Sequence, residues 1–166
     1  MRKLALFIGI ISVLLGLNAC EEIQKELIGE YHYQVSGHVI LNGVRDLILE
    51  PEKGSMEIIK KDDTTLMLIF FAEDGNTYST NATIEEEGLV LDPFYKLLSI
   101  NYYTHESTLL SGTVSVLHEE NYQVVVYGMG QLYDDAIIFT LQYNGEELNN
   151  GTKLIGKNIT LIAKTK

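Results

Sequence analysis

The sequence contains a single cysteine, no tryptophan and only two prolines among its 166 residues. One cysteine cannot form an intrachain disulfide, and it cannot supply the paired Cys-x-x-Cys ligands of a structural zinc site. No long stretch after the N-terminal segment has the apolar spacing of an amphipathic helix. These absences argue against a disulfide-stapled fold and against a helical bundle.

Positive charge is also scarce. The chain has 12 Lys and Arg residues against 23 Asp and Glu residues, which gives a net charge of −11. A surface of this sign repels the phosphates of nucleic acids and anionic lipid headgroups, and it attracts cationic molecules. We therefore expect no nucleic-acid partner.

The first twenty residues have the layout of a secretory leader. Basic Arg2 and Lys3 precede an uncharged run at residues 4–17, and the small Ala19 precedes Cys20. The run is shorter than the roughly 20 apolar residues that a comfortable bilayer-spanning helix needs. The layout predicts a signal peptide at residues 1–19.

The last four of these residues, Leu17-Asn18-Ala19-Cys20, resemble a bacterial lipobox. The resemblance implies cleavage before Cys20 and acylation of its thiol and new amino terminus, and two or more acyl chains hold a protein stably at a membrane. It therefore implies a lipoprotein of the bacterial cell envelope that is anchored in the outer membrane through Cys20, on either the periplasmic face or the cell-surface face. The alternative is an ordinary signal peptide that leaves Cys20 as a free thiol.

The rest of the chain is predicted to be a short tether and one domain. Residues 20–27 comprise the lipidated cysteine and the tether, whose polar residues form either an extended link or one helical turn. Residues 28–166 are long enough for one hydrophobic core, because a domain of this size buries roughly 68–70% of its unfolded surface.

Apolar residues in this domain mostly alternate with polar ones, as they do in half-buried strands. Tyr31, Tyr33 and Val35 share one face of the first strand, and Phe139 and Tyr143 share one face of a later strand. About eight to ten such strands, separated by turns, predict an all-β antiparallel meander. Closure into a barrel would remove exposed edges, and a two-sheet β-sandwich is the alternative.

The first hairpin leaves its register open. Asn42-Gly43 predicts a type I′ turn with positive φ at both positions. A two-residue turn would place Val39 opposite Asp46, whereas a bulge at Gly37 would turn the following even-numbered residues inward. A straight strand and a bulge both remain possible at this stage.

Three other segments interrupt the strand pattern. Residues 92–98 have helical spacing after Pro93, which predicts either a short helix that plugs one end of the barrel or a loop with buried anchors. Residues 105–106 and 118–120 each contain a histidine followed by glutamate, and we predict that both lie in turns.

Two further segments resemble a known family. Gly29-Glu30-Tyr31 resembles the Gly-x-Trp opening of lipocalins, with tyrosine in place of tryptophan. Residues 121–130, followed by Leu132 and Ile137-Ile138-Phe139, are similar to the later hairpins of calycin-like and lipocalin-like lipoproteins of Bacteroidetes. The resemblance implies a calycin-like barrel that binds a small apolar or amphipathic ligand.

The ten tyrosines are the residues best suited to line such a site, since each has an apolar ring and one hydroxyl. The candidate lining residues on inward faces are Tyr31, Tyr33, Tyr78, Phe139 and Tyr143. The same rings could instead fill a solid core. In that case the chain would be a protein–protein interaction module or an inhibitor at the cell envelope.

No motif indicates catalysis. His32 and His38 would lie roughly 20 Å apart on a straight strand, too far to share one metal ion. The sequence has no His-Glu-x-x-His, and no Gly-x-Ser-x-Gly marks a serine nucleophile. We expect no enzyme, no catalytic residue, no metal and no cofactor.

Asp63-Thr64-Thr65 resembles the O-glycosylation acceptor of Bacteroidetes, which makes Thr64 a candidate modification site.

Overall fold

The structure is a computed structural model that describes residues 24–86, 88–108 and 112–166. The predicted signal peptide and Cys20 lie outside these residues. A helical turn at residues 24–27 precedes nine strands. The strands are β1 (Gly29–Leu41), β2 (Arg45–Ile48), β3 (Glu52–Lys60), β4 (Thr65–Ala72), β5 (Thr77–Glu85), β6 (Gly88–Thr108), β7 (Gly112–Tyr133), β8 (Ala136–Glu147) and β9 (Lys153–Thr165).

The strands form one antiparallel sheet that closes on itself. Each strand from β3 to β8 pairs with the next one, and β1 pairs with both β3 and β9. The short β2 pairs only with residues 38–41 of β1, beyond the part of β1 that β3 covers. The predicted all-β meander that closes into a barrel is confirmed, and the sandwich alternative is wrong.

An irregularity does lie at Gly37, but its extra residue is in the neighbouring strand. Between β1 and β9 the register shifts from Ser36↔Thr160 to His38↔Lys157, and Asn158 takes a positive φ of 53°. A Cβ on Gly37 would come within 2.8 Å of the Asn158 carbonyl oxygen. Because β9 holds the extra residue, β1 keeps its alternation, and of the two alternatives the inward turn of the even-numbered residues is wrong.

The length of the first turn removes the unfavourable pairing of Val39 with Asp46 that a two-residue loop would produce. Asn42 and Gly43 have the positive φ angles expected of a type I′ turn, 48° and 72°. Val44 adds a third residue to the loop, so that Val39 pairs with Leu47 and not with Asp46. Both members of the resulting pair are apolar.

Strands β6 and β7 are far longer than predicted, with 21 and 22 residues. The predicted helix or loop at 92–98 and the predicted turns at 105–106 and 118–120 are all wrong, because these residues are in strands. The register of β6 against β7 shifts between Leu91 and Phe94, around Pro93. That irregularity accommodates a proline, which cannot donate to a strand ladder.

The outer part of the β6–β7 hairpin projects beyond the barrel. Strand β5 pairs with β6 only at residues 88–91, and β8 pairs with β7 only at residues 122–133. Residues 100–108 and 112–120 therefore pair only with each other among the described strands, and we call them the arm. Nine residues of strand extend about 30 Å.

The helical turn at residues 24–27 packs against the opposite end of the barrel. Gln24 Nε2 donates to the Asp62 carbonyl oxygen in the β3–β4 turn at 2.9 Å, and the Tyr31 hydroxyl donates to the Leu27 carbonyl oxygen at 2.9 Å. Strand β6 begins at this same end and runs away from it, so the arm lies at the far end. None of the helical structure described could span a bilayer.

Large apolar side chains from every long strand fill the barrel. The ring of Phe139 is fully buried and lies against Gly130, where a Cβ would come within 2.5 Å of a ring carbon. Other fully buried side chains include Tyr122, Phe70, Met56, Ile58, Leu66, Leu68, Leu89, Leu154 and Ile159. The core is therefore continuous around the barrel.

Candidate functional site

All five candidate lining residues point into the barrel, where they are packed and not open to solvent. Tyr31, Tyr33, Phe139 and Tyr143 are each 3% exposed or less, and Tyr78 is half-buried. Side chains that lined an open pocket would keep more accessible surface. The rings thus form part of the core in this structure, and their role in lining a ligand site stays a prediction.

Three of these tyrosines surround a buried ion pair. Lys96 Nζ on β6 donates to Oε2 of Glu52, the first residue of β3, and the two side chains are 7% and 19% exposed. The other carboxylate oxygen accepts from the Tyr78 hydroxyl and, at 3.0 Å, from the Tyr33 hydroxyl. The network joins four strands, β1, β3, β5 and β6.

Lys96 faces inward because of the irregularity at Pro93. Before it, the buried residues of β6 are Leu89 and Leu91, and after it they are even-numbered, beginning with Phe94. One extra residue in β6 exchanges the two faces of the strand. Without that residue, Lys96 would lie on the outer face of the barrel.

Aromatic rings complete the environment of the ammonium group. Lys96 Nζ lies 5.0 Å from the centroid of the Tyr78 ring and 5.9 Å from that of Tyr143, within the range of cation–π interactions. Burial lowers the pKa of Lys96, and the Glu52 carboxylate opposes that shift. The lysine is thus already paired, and the arrangement supports a structural role for it.

The tyrosine hydroxyls give the barrel a predictable response to alkali. Burial raises the pKa of Tyr33, Tyr78 and Tyr143, and the Glu52 carboxylate raises it further. In the unfolded chain, tyrosine ionises near pH 10. Above that pH the unfolded chain has lost protons that the folded chain retains, so stability falls as pH rises through about 10.

Lys96, whose pKa is lowered, acts in the opposite direction, but one lysine opposes three tyrosines. We expect the urea midpoint to fall between about pH 9 and about pH 11, and we expect a shallower fall in Tyr78→Phe. A midpoint that is constant over this range would contradict the assignment of these hydroxyls as buried.

A depression at the arm end of the barrel reaches the exposed edge of Glu52. Its volume is about 340 Å³, and its walls include Glu50, Pro51, Asp74, Leu97 and Leu98. Among the residues of the buried network, only Glu52 contributes to these walls. A small molecule could therefore reach that carboxylate without displacing the aromatic rings.

The base of the arm is fastened to the barrel, whereas the rest of the arm is exposed. The Tyr102 ring stacks on His118 at 4.9 Å, and the Arg45 guanidinium lies 4.4 Å from the centroid of the same ring. On the other face Tyr103 is 66% exposed, and its cross-strand neighbour Leu117 is 46% exposed. The arm thus presents an aromatic and an aliphatic side chain to solvent, next to each other.

The arm also belongs to a long stretch of the chain that has no positive charge. Residues 97–152 contain no lysine or arginine and seven aspartates or glutamates. Glu120 accepts hydrogen bonds from the hydroxyls of Tyr102 and Tyr122. In the described part of the chain, no ion pair involves Glu106, Glu119 or Glu120. No sequence motif indicated that the charged side chains of this stretch are all acidic.

The remaining predicted residues are dispersed. Thr64 is exposed in the β3–β4 turn, where its backbone amide donates to Asp62 Oδ1 at 3.0 Å, and its glycosylation stays a prediction. His38 Nδ1 lies 3.0 Å from Asp46 Oδ1. Over the ranges that the structure describes, no three His, Cys, Asp or Glu side chains are grouped as metal ligands.

Comparison with known proteins identifies no family. No protein-family model and no curated protein matches the chain. One similar solved structure is a redesigned beta barrel, which is 14% identical, has a TM-score of 0.37, and aligns over 86% of this chain and 94% of that one. The function must therefore be argued from the residues of this chain.

Proposed function

We propose that the chain is a lipid-anchored protein-interaction module of the bacterial outer membrane, with a filled barrel and the arm as its contact element. The arm is the observation that carries this proposal. A single two-stranded hairpin is marginally stable in water by itself, and the outer face of the arm is exposed. An exposed tyrosine–leucine pair on such a hairpin is typical of a surface that a partner covers.

The position of the arm relative to the predicted anchor supports the same proposal. Cys20 precedes the helical turn at residues 24–27 by only a few residues, and Leu27 in that turn is buried against the barrel. If acyl chains on Cys20 anchor the protein, the membrane would lie at this end of the barrel. The arm would then point away from the membrane, towards partners in the aqueous space.

Photocrosslinking in the native membrane tests the proposal. A photoreactive benzoylphenylalanine at position 103, in the full-length protein in its own cells, should form a discrete adduct with another protein. The matched control is the same group at position 79, which is exposed on the outer face of β5. Equal adducts at both positions, or none at position 103, would count against the arm as a contact element.

A second candidate function is binding of a small amphipathic ligand, and the depression next to Glu52 favours it. Its walls combine apolar Leu97 and Leu98 with acidic Glu50 and Asp74. That combination suits a ligand with an apolar body and a polar or cationic group. A molecule of a few hundred daltons that copurifies with the protein, visible by native mass spectrometry, would support this candidate.

A further inference from the structure

We infer that the partner of the arm contributes an extended, basic segment that adds as a further strand along the free edge of β7, at residues 113–120. This inference rests on the proposed function and names the chemistry of the partner. Recognition by strand addition uses the backbone groups of an exposed edge for affinity, and side-chain neighbours for specificity.

The edge is unpaired along its whole length. Residues 113–120 pair with β6 on one side, and no described strand pairs with them on the other side. At its lower end, the Leu148 amide donates to the Asn121 carbonyl oxygen at 3.0 Å, which marks where β8 stops covering β7. An added strand would continue the line of β8 towards the tip of the arm.

Three common protections against strand addition, lysine, proline and bulges, are missing from the described part of this edge. Natural sheets shield their edges with lysine, proline or bulges. Neither strand of the arm contains lysine or proline, and the β6–β7 register is regular from Phe94 to Thr108. The edge is therefore straight and longer than a typical strand of about 5–6 residues.

The side chains along this edge indicate which segment would fit. Glu119 and Glu120 point to opposite faces near the barrel, whereas Val114, Val116 and Leu117 lie nearer the tip. Opposite charges on neighbouring strands are stabilising. The matching segment has Lys or Arg where it passes the glutamates and apolar residues beyond them.

The same charges argue against a second copy of this chain as the occupant. Each arm carries Glu106, Glu119 and Glu120 and no basic residue except histidine. Pairing two arms edge to edge would therefore give Glu119 and Glu120 no lysine or arginine as a neighbour. The net charge of −11 disfavours self-association further.

Peptide binding to the full-length protein in non-ionic detergent tests the inference. The probe is a short peptide with lysines at one end and valines along the rest, and the control has the same charge but carries prolines in place of two valines, which prevents strand pairing. We expect the probe to bind at least about tenfold more tightly than the control. Its binding should slow hydrogen exchange of the edge amides within residues 113–120.

Charge reversal at one position identifies the edge. Glu119→Lys should weaken binding of the probe by about tenfold, because the residue is exposed beside the docked strand. Glu85→Lys makes the same charge change on an exposed residue at the far end of the barrel, and should have little effect. Among the residues that the structure describes, neither glutamate forms an ion pair that its replacement would disrupt.

Three results would overturn the inference. They are equal binding of the two peptides, equal effects of the two charge reversals, and no binding of the probe. If any of these occurs while position 103 still crosslinks, the arm remains the contact element, and only the inference that its partner adds a basic strand is rejected. If position 103 does not crosslink, the proposed function itself fails.

Discussion

Glu52→Gln is expected to lower the free energy of unfolding by about 3–5 kcal/mol, because it leaves the Lys96 ammonium buried without a counter-charge. Lys96 is only 7% exposed, and its other neighbours are ring faces at 5.0 and 5.9 Å. Glutamine has nearly the same shape as glutamate, so the loss reports charge and not volume. Urea denaturation followed by circular dichroism measures it.

Two related variants separate the ion pair from its surroundings. Lys96→Met should cost less than Glu52→Gln, because Glu52 keeps the Tyr33 and Tyr78 hydroxyls and some contact with water. The double variant should be more stable than Glu52→Gln alone, since no unpaired charge remains. Simple additivity of the two losses would contradict a buried pair.

Phe139→Ala is expected to cost about 3–5 kcal/mol, because it leaves a cavity at a fully buried site. The ring lies on Gly130, with no side chain between it and the backbone of β7. Gly130→Ala alone should cost about 1–3 kcal/mol, since its methyl group would overlap the ring. Thermal and urea unfolding of each variant measure these losses.

A compensating pair provides the control for this contact. Phe139→Leu makes room beside Gly130, and the added methyl of Gly130→Ala then occupies part of that room. The double variant should therefore be more stable than the sum of the two single losses predicts. Strict additivity would show that the ring does not pack against Gly130 in solution.

Alternation alone was enough to predict most of the barrel. Tyr33, Phe139 and Tyr143 are inward because each lies on the apolar face of a regular strand, and that face is fixed by a period of two. Closure into a ring followed from the number of short strands and from the need to remove edges. These features depend on local pattern, which a single sequence contains.

The inward position of Lys96 could not be predicted in this way. It depends on one extra residue near Pro93, which exchanges the faces of β6, and the sequence does not show where a register shift falls. Its pairing with Glu52 also requires β3 and β6, which β4 and β5 separate in the sheet, to face each other across the barrel interior. Long-range pairings of this kind have no local signature.

The long strands of the arm were not predicted for a different reason, although the sequence did contain an indication of them. Because its outer face is exposed, polar residues such as His105 and Glu119 occur where a turn would also place them. However, residues 94–111 and 113–127 contain no glycine or proline, the residues that most often break strands. The lack of breakers indicated long strands more reliably than polarity indicated turns.

Native mass spectrometry of the full-length protein extracted from its own membranes tests the central claim most directly. A variant with residues 103–117 replaced by Asn-Gly removes most of the arm and keeps the stacked Tyr102–His118 pair. The account predicts an acylated chain that carries a protein partner in the wild type and none in the variant. A small molecule bound equally to both, with no protein partner, would contradict it and identify the barrel as a ligand carrier.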